Sequence, residues 1–174
     1  SVIESIDAET IYDVPMLMRE ENLDIVVLNK TRTKIPKEFD LSNWEQFLKR
    51  LKNPKYEVDI ALVGKYVELK DDYKSITESF VHGGSANECK VNIKLIHSEQ
   101  VNAKTASKLL KEMDGILVAP GFGGRGIEGK IEAIKFAREN QTPFLGICLG
   151  MQCAVIEFSR NVLGHQDAHT TEID

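Results

Sequence analysis

The residues best suited to chemistry are Gly146-Ile-Cys148-Leu-Gly150, at the end of a short apolar run. This pentapeptide is the cysteine form of the G-x-S-x-G nucleophile elbow, in which a strand turns sharply into a helix. The two glycines remove side chains that would clash in the turn. The Cys148 thiol would then lie at a helix N-terminus, where the helix dipole favours the thiolate, and the N–H of Leu149 would face a developing oxyanion.

The alternative for Cys148 is a buried structural thiol, because most free cysteines pack as small apolar side chains. Cys153 falls inside the helix predicted after the elbow, and we interpret it as a core residue. Cys89 follows Glu88 in a predicted loop and carries no catalytic pattern. Three cysteines, a low and odd number, are typical of a reducing compartment.

A second glycine-rich turn, Gly121-Phe-Gly123-Gly-Arg-Gly126, also follows an apolar run. Its letters match the dinucleotide fingerprint G-x-G-x-x-G. However, the next strand ends in Ile147-Cys148 instead of the acidic residue that would hold a ribose. We therefore expect a loop of backbone N–H donors for a transient oxyanion. The alternative is a turn that needs glycine only for its shape.

The elements that position these turns alternate between strands and helices from Val58 onward. His82-Gly83-Gly84 is expected to end the first of the helices. This alternation predicts an α/β fold with a doubly wound, mainly parallel sheet, and ligands at the carboxyl ends of its strands. The predicted strands are 58–64, 91–96, 116–119 and 144–147, and the predicted helices lie near 73–80, 106–113, 131–137 and 150–160.

The first 57 residues follow a different pattern. Residues 1–30 are interpreted as the end of a preceding domain, with a helix beginning near Pro15. Residues 31–57 are predicted to be a linker with one helix, started by a capping box of Ser42 and Glu45. Trp44 is expected to be a packing anchor on the apolar face of that helix.

The composition excludes several classes of protein. A net charge of −5 with no basic patch argues against nucleic-acid binding. No apolar run approaches the roughly 18 residues of a membrane span, and the N-terminus lacks the pattern of a signal peptide. With 42% hydrophobic and 28% charged residues, the chain has the composition of a globular protein.

Two segments, Cys148-Leu-Gly-Met-Gln152 and Pro120-Gly-Phe-Gly123, resemble the class I (triad-type) glutamine amidotransferases. Within that class the chain is similar to the CTP synthase family from about Asp7 to its last residues. The segments that carry this similarity are Val63-Gly-Lys-Tyr66-Val-Glu-Leu69, Tyr73-Lys-Ser75, His82-Gly-Gly84, Phe136-Ala-Arg-Glu-Asn140 and Thr171-Glu172. The resemblance implies the end of a synthetase (amidoligase) domain at 1–30, an interdomain linker at 31–57 and the N-terminal half of a glutaminase domain at 58–174.

The resemblance also implies a reaction, the ATP-dependent amination of UTP to CTP in pyrimidine biosynthesis. Ammonia would come from glutamine hydrolysed through a thioester on Cys148. ATP and Mg²⁺ would serve the full enzyme, with GTP as allosteric effector and CTP as feedback inhibitor, and this fragment would hold no cofactor. The full enzyme would be a cytoplasmic homotetramer.

Site residues follow by position from the same resemblance. The N–H of Leu149 would donate to the oxyanion, and Glu172 would receive the α-ammonium of glutamine, since a zwitterion needs a carboxylate partner in a partly dry pocket. The resemblance implies no metal ligand. The glutamine-binding residues would be Gly121, Leu149, Gly150, Met151, Gln152 and Glu172, and the ATP-binding residues Ile6, Asp7 and Ala8.

The chain departs from the family pattern in two places. Pro120 replaces a glycine of the Pro-Gly-Gly-Phe-Gly loop and removes a possible N–H donor. The catalytic His and Glu of the family have no match among the four histidines His82, His97, His165 and His169. We therefore expect a fragment that turns over negligibly alone, with His165 and His169 on its surface.

Two other classes of function stay open. One is a stand-alone cysteine-elbow protein of the same superfamily, which would need a histidine close to Cys148. The segments around Lys65 and Lys74 argue against it. The other is an inert module for assembly or regulation, in which Cys148 would be alkylated no faster than Cys89.

Overall fold

The computed structural model describes residues 2–68 and 71–171. The chain divides into two compact units, Ser1–Asn53 and Pro54–Asp174. The first unit is helical. After a short 3₁₀ helix at Ile11–Asp13, it contains helices α1 (Val14–Glu20), α2 (Leu23–Lys30) and α3 (Ser42–Lys52). Pro15 lies in the first turn of α1, as predicted, where its missing N–H costs no helical hydrogen bond.

Helix α3 begins where it was predicted, but the predicted capping box is wrong. Ser42 is the first helical residue and not the N-cap, and its N–H donates to Oδ1 of Asp40 at 2.9 Å. Hydrogen bonds from Ser42 lower the pKa of the Asp40 carboxyl. An acidic side chain upstream therefore serves an N–H group that has no acceptor within the helix.

Trp44 is the packing anchor of the first unit, as predicted. Its ring lies against the rings of Tyr12 and Phe47, with centroids 6.1 and 5.2 Å away. Its Nε1–H donates to the carbonyl oxygen of Tyr12 at 2.9 Å, so the indole buries its apolar surface and still satisfies its polar group.

The second unit is an α/β fold with a four-stranded sheet. All neighbouring strands are parallel, in the order β2-β1-β3-β4, which confirms the predicted fold class. Cys89 opens the second strand, so its prediction as a loop residue was wrong. The strands are β1 (Tyr56–Gly64), β2 (Cys89–His97), β3 (Gly115–Val118) and β4 (Phe144–Gly146), and the helices are α4 (Lys74–Ala86), α5 (Ala106–Leu110), α6 (Ile127–Glu139) and α7 (Leu149–Asn161).

The sheet is covered on both faces, as expected for parallel strands. On one face, Val63 and Val118 of the central strands join a core with apolar residues of α5, α6 and α7. On the other face, Leu62 and Leu117 pack with Tyr73 and the apolar residues of α4. The central strands are therefore buried on both sides, and their carboxyl ends are held in fixed positions.

Helix α4 does not end at Gly83-Gly84, contrary to the prediction. It continues to Ala86, and Gly84 is buried against β2. A Cβ at Gly84 would lie 2.5 Å from the carbonyl oxygen of Cys89. The glycine is required because α4 packs closely on β2. In the sequence, however, Gly83-Gly84 looks the same as a signal that ends a helix.

Candidate active site

Two loops meet at the carboxyl edge of the sheet. Strands β3 and β4 are neighbours, with Val118 paired to Gly146. The segment after β3 is the glycine loop, residues 119–126, and the segment after β4 carries Cys148. Because parallel strands end on the same side, the sheet brings both predicted elements together.

Cys148 lies in a strained elbow, as predicted. Its φ of 53° and ψ of −108° are unusual for a residue with a side chain. A Cβ at Gly146 would lie 2.6 Å from the backbone of Gly150, and a Cβ at Gly150 would lie 2.1 Å from the carbonyl oxygen of Val118. The two flanking glycines are therefore required by close backbone contacts on both sides of the cysteine.

The elbow exposes the thiol at the start of a long helix. Cys148 is exposed and immediately precedes α7, and its carbonyl accepts from the N–H groups of Met151 and Gln152 at 3.0 and 3.1 Å. Leu149 opens the helix, so its N–H has no acceptor within the helix. Cys153 differs, since it is fully buried and burial raises the pKa of its thiol. Cys153 is a core residue, as predicted.

The glycine loop uses backbone conformations that few other residues tolerate. Gly121 and Gly123 have φ values of 143° and 77°. Phe122 between them is 83% exposed, so its side chain contributes no core packing. The shape of the loop is therefore set by its glycines and not by core packing of Phe122.

Two buried lysines support this loop, and the sequence analysis missed both as site residues. Lys65 follows β1 and is 2% exposed, and Lys130 lies on α6 and is fully buried. The Lys65 ammonium donates to the carbonyls of Phe122 and Gly123. The signal for Lys130 was present, because it falls on the apolar stripe formed by Ile127, Ile131 and Ile134.

The Lys130 ammonium donates to the carbonyl oxygens of Ala119 at 2.7 Å and Pro120 at 3.5 Å. Burial lowers the pKa of Lys130 to about 8, and the charge of Lys65 acts in the same direction, while Coulombic interactions with Cys153 and Cys148 act in the opposite direction. Lys130 thus lies within electrostatic range of the predicted nucleophile.

Apart from Gly121 in the glycine loop, the predicted glutamine-binding residues fall into three groups. Leu149 and Gly150 are buried in the first turn of α7. Met151 and Gln152 line an open cavity of about 540 Å³, together with the segment 169–171, which the sequence analysis did not associate with the site. The Thr170 hydroxyl donates to Oε1 of Gln152 at 2.7 Å and joins this segment to the helix. Glu172 lies outside the described residues.

The four histidines lie in three different parts of the second unit. His165 and His169 are exposed, as expected, and Nδ1 of His169 accepts from the N–H of Thr170 at 2.9 Å. His169 also lines the cavity beside Met151 and Gln152. His82 is on α4, and His97 ends β2, where its ring lies 3.7 Å from Glu68 and 3.6 Å from Glu99.

The predicted ATP-binding residues belong to the first unit. Ile6, Asp7 and Ala8 line a cavity of about 370 Å³. Its other polar lining is mostly carboxylate, and the Lys52 ammonium is paired with Asp13 at 2.9 Å. Within residues 2–68 and 71–171, no group of three or more His, Cys, Asp or Glu side chains could hold a metal ion. The described residues therefore do not fit the Mg²⁺ that the resemblance implies for the full enzyme.

A parallel α/β sheet that carries a cysteine elbow beside a glycine loop defines a class of cysteine-nucleophile proteins. The family model described as glutamine amidotransferase class-I matches residues 68–173. The chain belongs to this family.

Individual relatives are similar to the whole chain. A CTP synthase of Cytophaga hutchinsonii is 64% identical over 174 residues, which are 100% of this chain and 32% of the relative. A CTP synthase of Clostridium beijerinckii is 55% identical with the same coverage. The chain therefore spans about a third of the length of these curated relatives.

A solved structure shows the same similarity at the level of the fold. The glutaminase domain of Trypanosoma brucei CTPS, with bound acivicin, has a TM-score of 0.62 and 44% sequence identity. The match covers 66% of this chain and 45% of that one. Separately, within the part of the chain that the structure describes, no helix is long and apolar enough to cross a membrane.

Proposed function

We propose that this chain is part of a CTP synthase and that its second unit hydrolyses glutamine at Cys148. The observation that carries the proposal is the exposed Cys148 elbow beside the glycine loop, in a chain 64% identical over its full length to a CTP synthase. Under this proposal, residues 1–30 end the synthetase domain, 31–57 form the linker and 58–174 begin the glutaminase domain.

In the proposed reaction, Sγ of Cys148 attacks the carboxamide carbon of glutamine and forms a C–S bond, while the carbonyl electron pair moves to oxygen. The N–H groups of Leu149 and Gly121 donate to this oxyanion. When the carbonyl re-forms, the C–N bond breaks, and the nitrogen takes up a proton and leaves as ammonia. Water then cleaves the thioester and releases glutamate and the free thiol.

The remaining roles are assigned from the family resemblance and the cavity. Met151 and Gln152 contact glutamine from the cavity wall, Gly150 allows the elbow, and Glu172 binds the α-ammonium group. The base that carries the protons is assigned to a histidine outside these 174 residues, since none of the four present matches the family segment.

The full enzyme would use the ammonia to aminate UTP. ATP would phosphorylate the uracil oxygen, and ammonia would displace phosphate to give CTP. GTP as effector, CTP as feedback inhibitor, a homotetramer and ATP contacts at Ile6, Asp7 and Ala8 belong to the same proposal. Three free thiols suit the reducing cytoplasm, where we place the protein.

The nucleophile is tested with a diazoketone analogue of glutamine and mass spectrometry. The probe is applied to the 174-residue chain and to a chimaera in which this chain replaces the aligned segment of the Cytophaga hutchinsonii enzyme. We expect covalent labelling at Cys148 in the chimaera, and none at Cys89 or Cys153. Labelling of the isolated chain as well would show that the elbow activates the thiol without further residues. No labelling in either protein would contradict the proposal.

The coupling to CTP formation is tested in the same chimaera. The Cys148→Ala substitution should abolish CTP formation with glutamine and leave CTP formation with added ammonia intact, because ammonia bypasses the thioester. Cys89→Ala is the matched control, since Cys89 is a half-buried thiol at the start of β2, and it should retain both activities. Loss of both activities in Cys148→Ala would count against a role limited to glutamine hydrolysis.

A further inference from the structure

The carbonyl groups of the glycine loop face two buried ammonium groups. The Lys130 ammonium donates to the carbonyl oxygens of Ala119 and Pro120, and the Lys65 ammonium donates to those of Phe122 and Gly123. Four of the five consecutive peptide carbonyls at 119–123 are thus directed to a lysine. Such charge-assisted hydrogen bonds are stronger than bonds between neutral groups, so they fix the direction of each peptide plane.

The direction of a carbonyl also sets the direction of the next N–H. No peptide bond among the described residues is cis, and in a trans peptide the C=O and the following N–H point in opposite directions. The carbonyls of Pro120, Phe122 and Gly123 point to the lysines, so the N–H groups of Gly121, Gly123 and Gly124 point away from them. Within the described residues, these three N–H groups donate to no protein acceptor.

Gly121 lies directly over the two lysine side chains. A Cβ built on it would lie 3.9 Å from Cδ of Lys65 and 4.0 Å from Nζ of Lys130. Two positive charges therefore lie behind the loop, on the side opposite to its free N–H groups. An anion held by these N–H groups would also be stabilised by the buried charges, which are poorly screened by water.

We infer that Lys65 and Lys130 are positioning residues, which orient the N–H groups of residues 121–124 toward the oxyanion that forms on the glutamine carboxamide. This inference rests on the proposed glutaminase function. The lysines act through the loop and touch no reacting atom. The role also explains the Gly64-Lys-Tyr66 segment, since Lys65 holds the loop and Tyr66 lies 5.5 Å from the guanidinium of Arg125 within it.

The experiment uses Lys65→Met and Lys130→Met in the chimaera, since Met removes the donor and keeps most of the volume. Lys135→Met is the matched control, because Lys135 is on the same helix and, among the described residues, bonds to none of the loop carbonyls. We expect the kcat for glutamine hydrolysis to fall about 100-fold or more, as when an oxyanion donor is lost. The KM for glutamine should change by less than about threefold, and CTP formation with added ammonia should be unchanged.

Lys65→Arg, which keeps the charge and the donors, should recover at least about tenfold of the kcat lost in Lys65→Met.

Two results would overturn the inference: a kcat within about threefold of the parent in both Met variants, or an equal fall in the ammonia-dependent activity. If the Met variants do not fold, Lys65→Gln and Lys130→Gln replace them, and kcat, KM and ammonia-dependent CTP formation are measured in the same way. Failure of these to fold would assign the lysines to domain stability and also overturn it. If the unsubstituted chimaera shows no glutamine hydrolysis, the proposed function itself fails, and this outcome is separate from the others.

Discussion

Lys130 occupies a place where the helical pattern requires an apolar side chain. Its pKa, about 8 in the folded protein, is lowered chiefly by burial from an ordinary value of 10.5. The unfolded chain therefore binds more protons than the folded chain between these pH values. Stability rises with pH wherever the unfolded state binds more protons. The contribution of Lys130 to the free energy of unfolding therefore increases as the pH rises from about 8 to 10.5.

This linkage can be isolated by comparing the chain with its Lys130→Met variant. The difference in unfolding free energy, parent minus variant, should rise by up to about 3 kcal/mol across that pH range. Both proteins should carry Cys153→Ala, because the Cys153 thiol has a raised pKa and would add an opposite pH dependence. Urea unfolding at several pH values measures the difference. A difference that is constant with pH would contradict the lowered pKa.

The predictability of single residues depended on how local their constraints are. The Cys148 elbow could be predicted because its glycines stand at fixed spacings, two positions before and two after the cysteine, although the contact that requires Gly150 comes from Val118 on β3. The place of Lys130 on an apolar stripe indicated its burial, but the role of Lys65 and Lys130 could not be predicted, because the carbonyls that accept from their ammonium groups are distant in sequence. The acceptor at Asp40 is local, two residues before Ser42, and it was missed because the Ser42 and Glu45 pair matched a more common capping pattern.

At the scale of elements, the end of α4 offers two adjacent glycines with opposite surroundings. A Cβ at Gly84 would lie 2.5 Å from the Cys89 carbonyl, whereas a Cβ at Gly83 would have no atom within 4 Å. Gly84→Ala should destabilise the chain by about 2 kcal/mol, since helix and strand must separate. Gly83→Ala should stabilise it by roughly 0.5–1 kcal/mol through helix propensity. Urea unfolding of both variants checks this, and equal effects would show that the helix and strand do not pack this closely.

Helices α6 and α7 are joined by a carboxylate that is almost fully buried. Glu157 is 1% exposed and accepts from Nε and Nη2 of Arg138 at 3.1 and 2.9 Å. Arg138→Met should cost about 2 kcal/mol, because it leaves Glu157 buried without its cation. The cost is moderated because the Arg138 side chain is 35% exposed, so water can reach the place that it vacates. The double variant with Glu157→Met should recover most of this loss. A double variant as unstable as the single one would contradict the explanation.

The strands and helices themselves were predictable, because their apolar periodicity reports burial against the sheet. The ends of helices were less so. Gly83-Gly84 was interpreted as a stop signal, although the glycines lie inside a helix that β2 approaches closely. Gly84 is required because β2, which follows α4 in the sequence, packs against it. A local pattern cannot distinguish a glycine needed for such packing from a glycine that ends a helix.

At the scale of the whole molecule, the surface around β4 and α7 is notably apolar. Leu145 and Val155 are 55% and 60% exposed, and β4 pairs on one side only among the described strands. We expect the isolated chain to self-associate with increasing concentration, because an open apolar sheet edge accepts another strand. Leu145→Lys should reduce this association in sedimentation velocity. Ile11→Lys, at an exposed position of the first unit, is the control and should have no effect.

The single tryptophan of the chain, Trp44, packs within the first unit. Tryptophan emission therefore reports on the helical unit alone, whereas far-ultraviolet circular dichroism reports on both units. The chain thus carries an intrinsic fluorophore for following its first unit during unfolding. If the units unfold independently, the fluorescence midpoint will differ from the dichroism midpoint, with no need for an attached label.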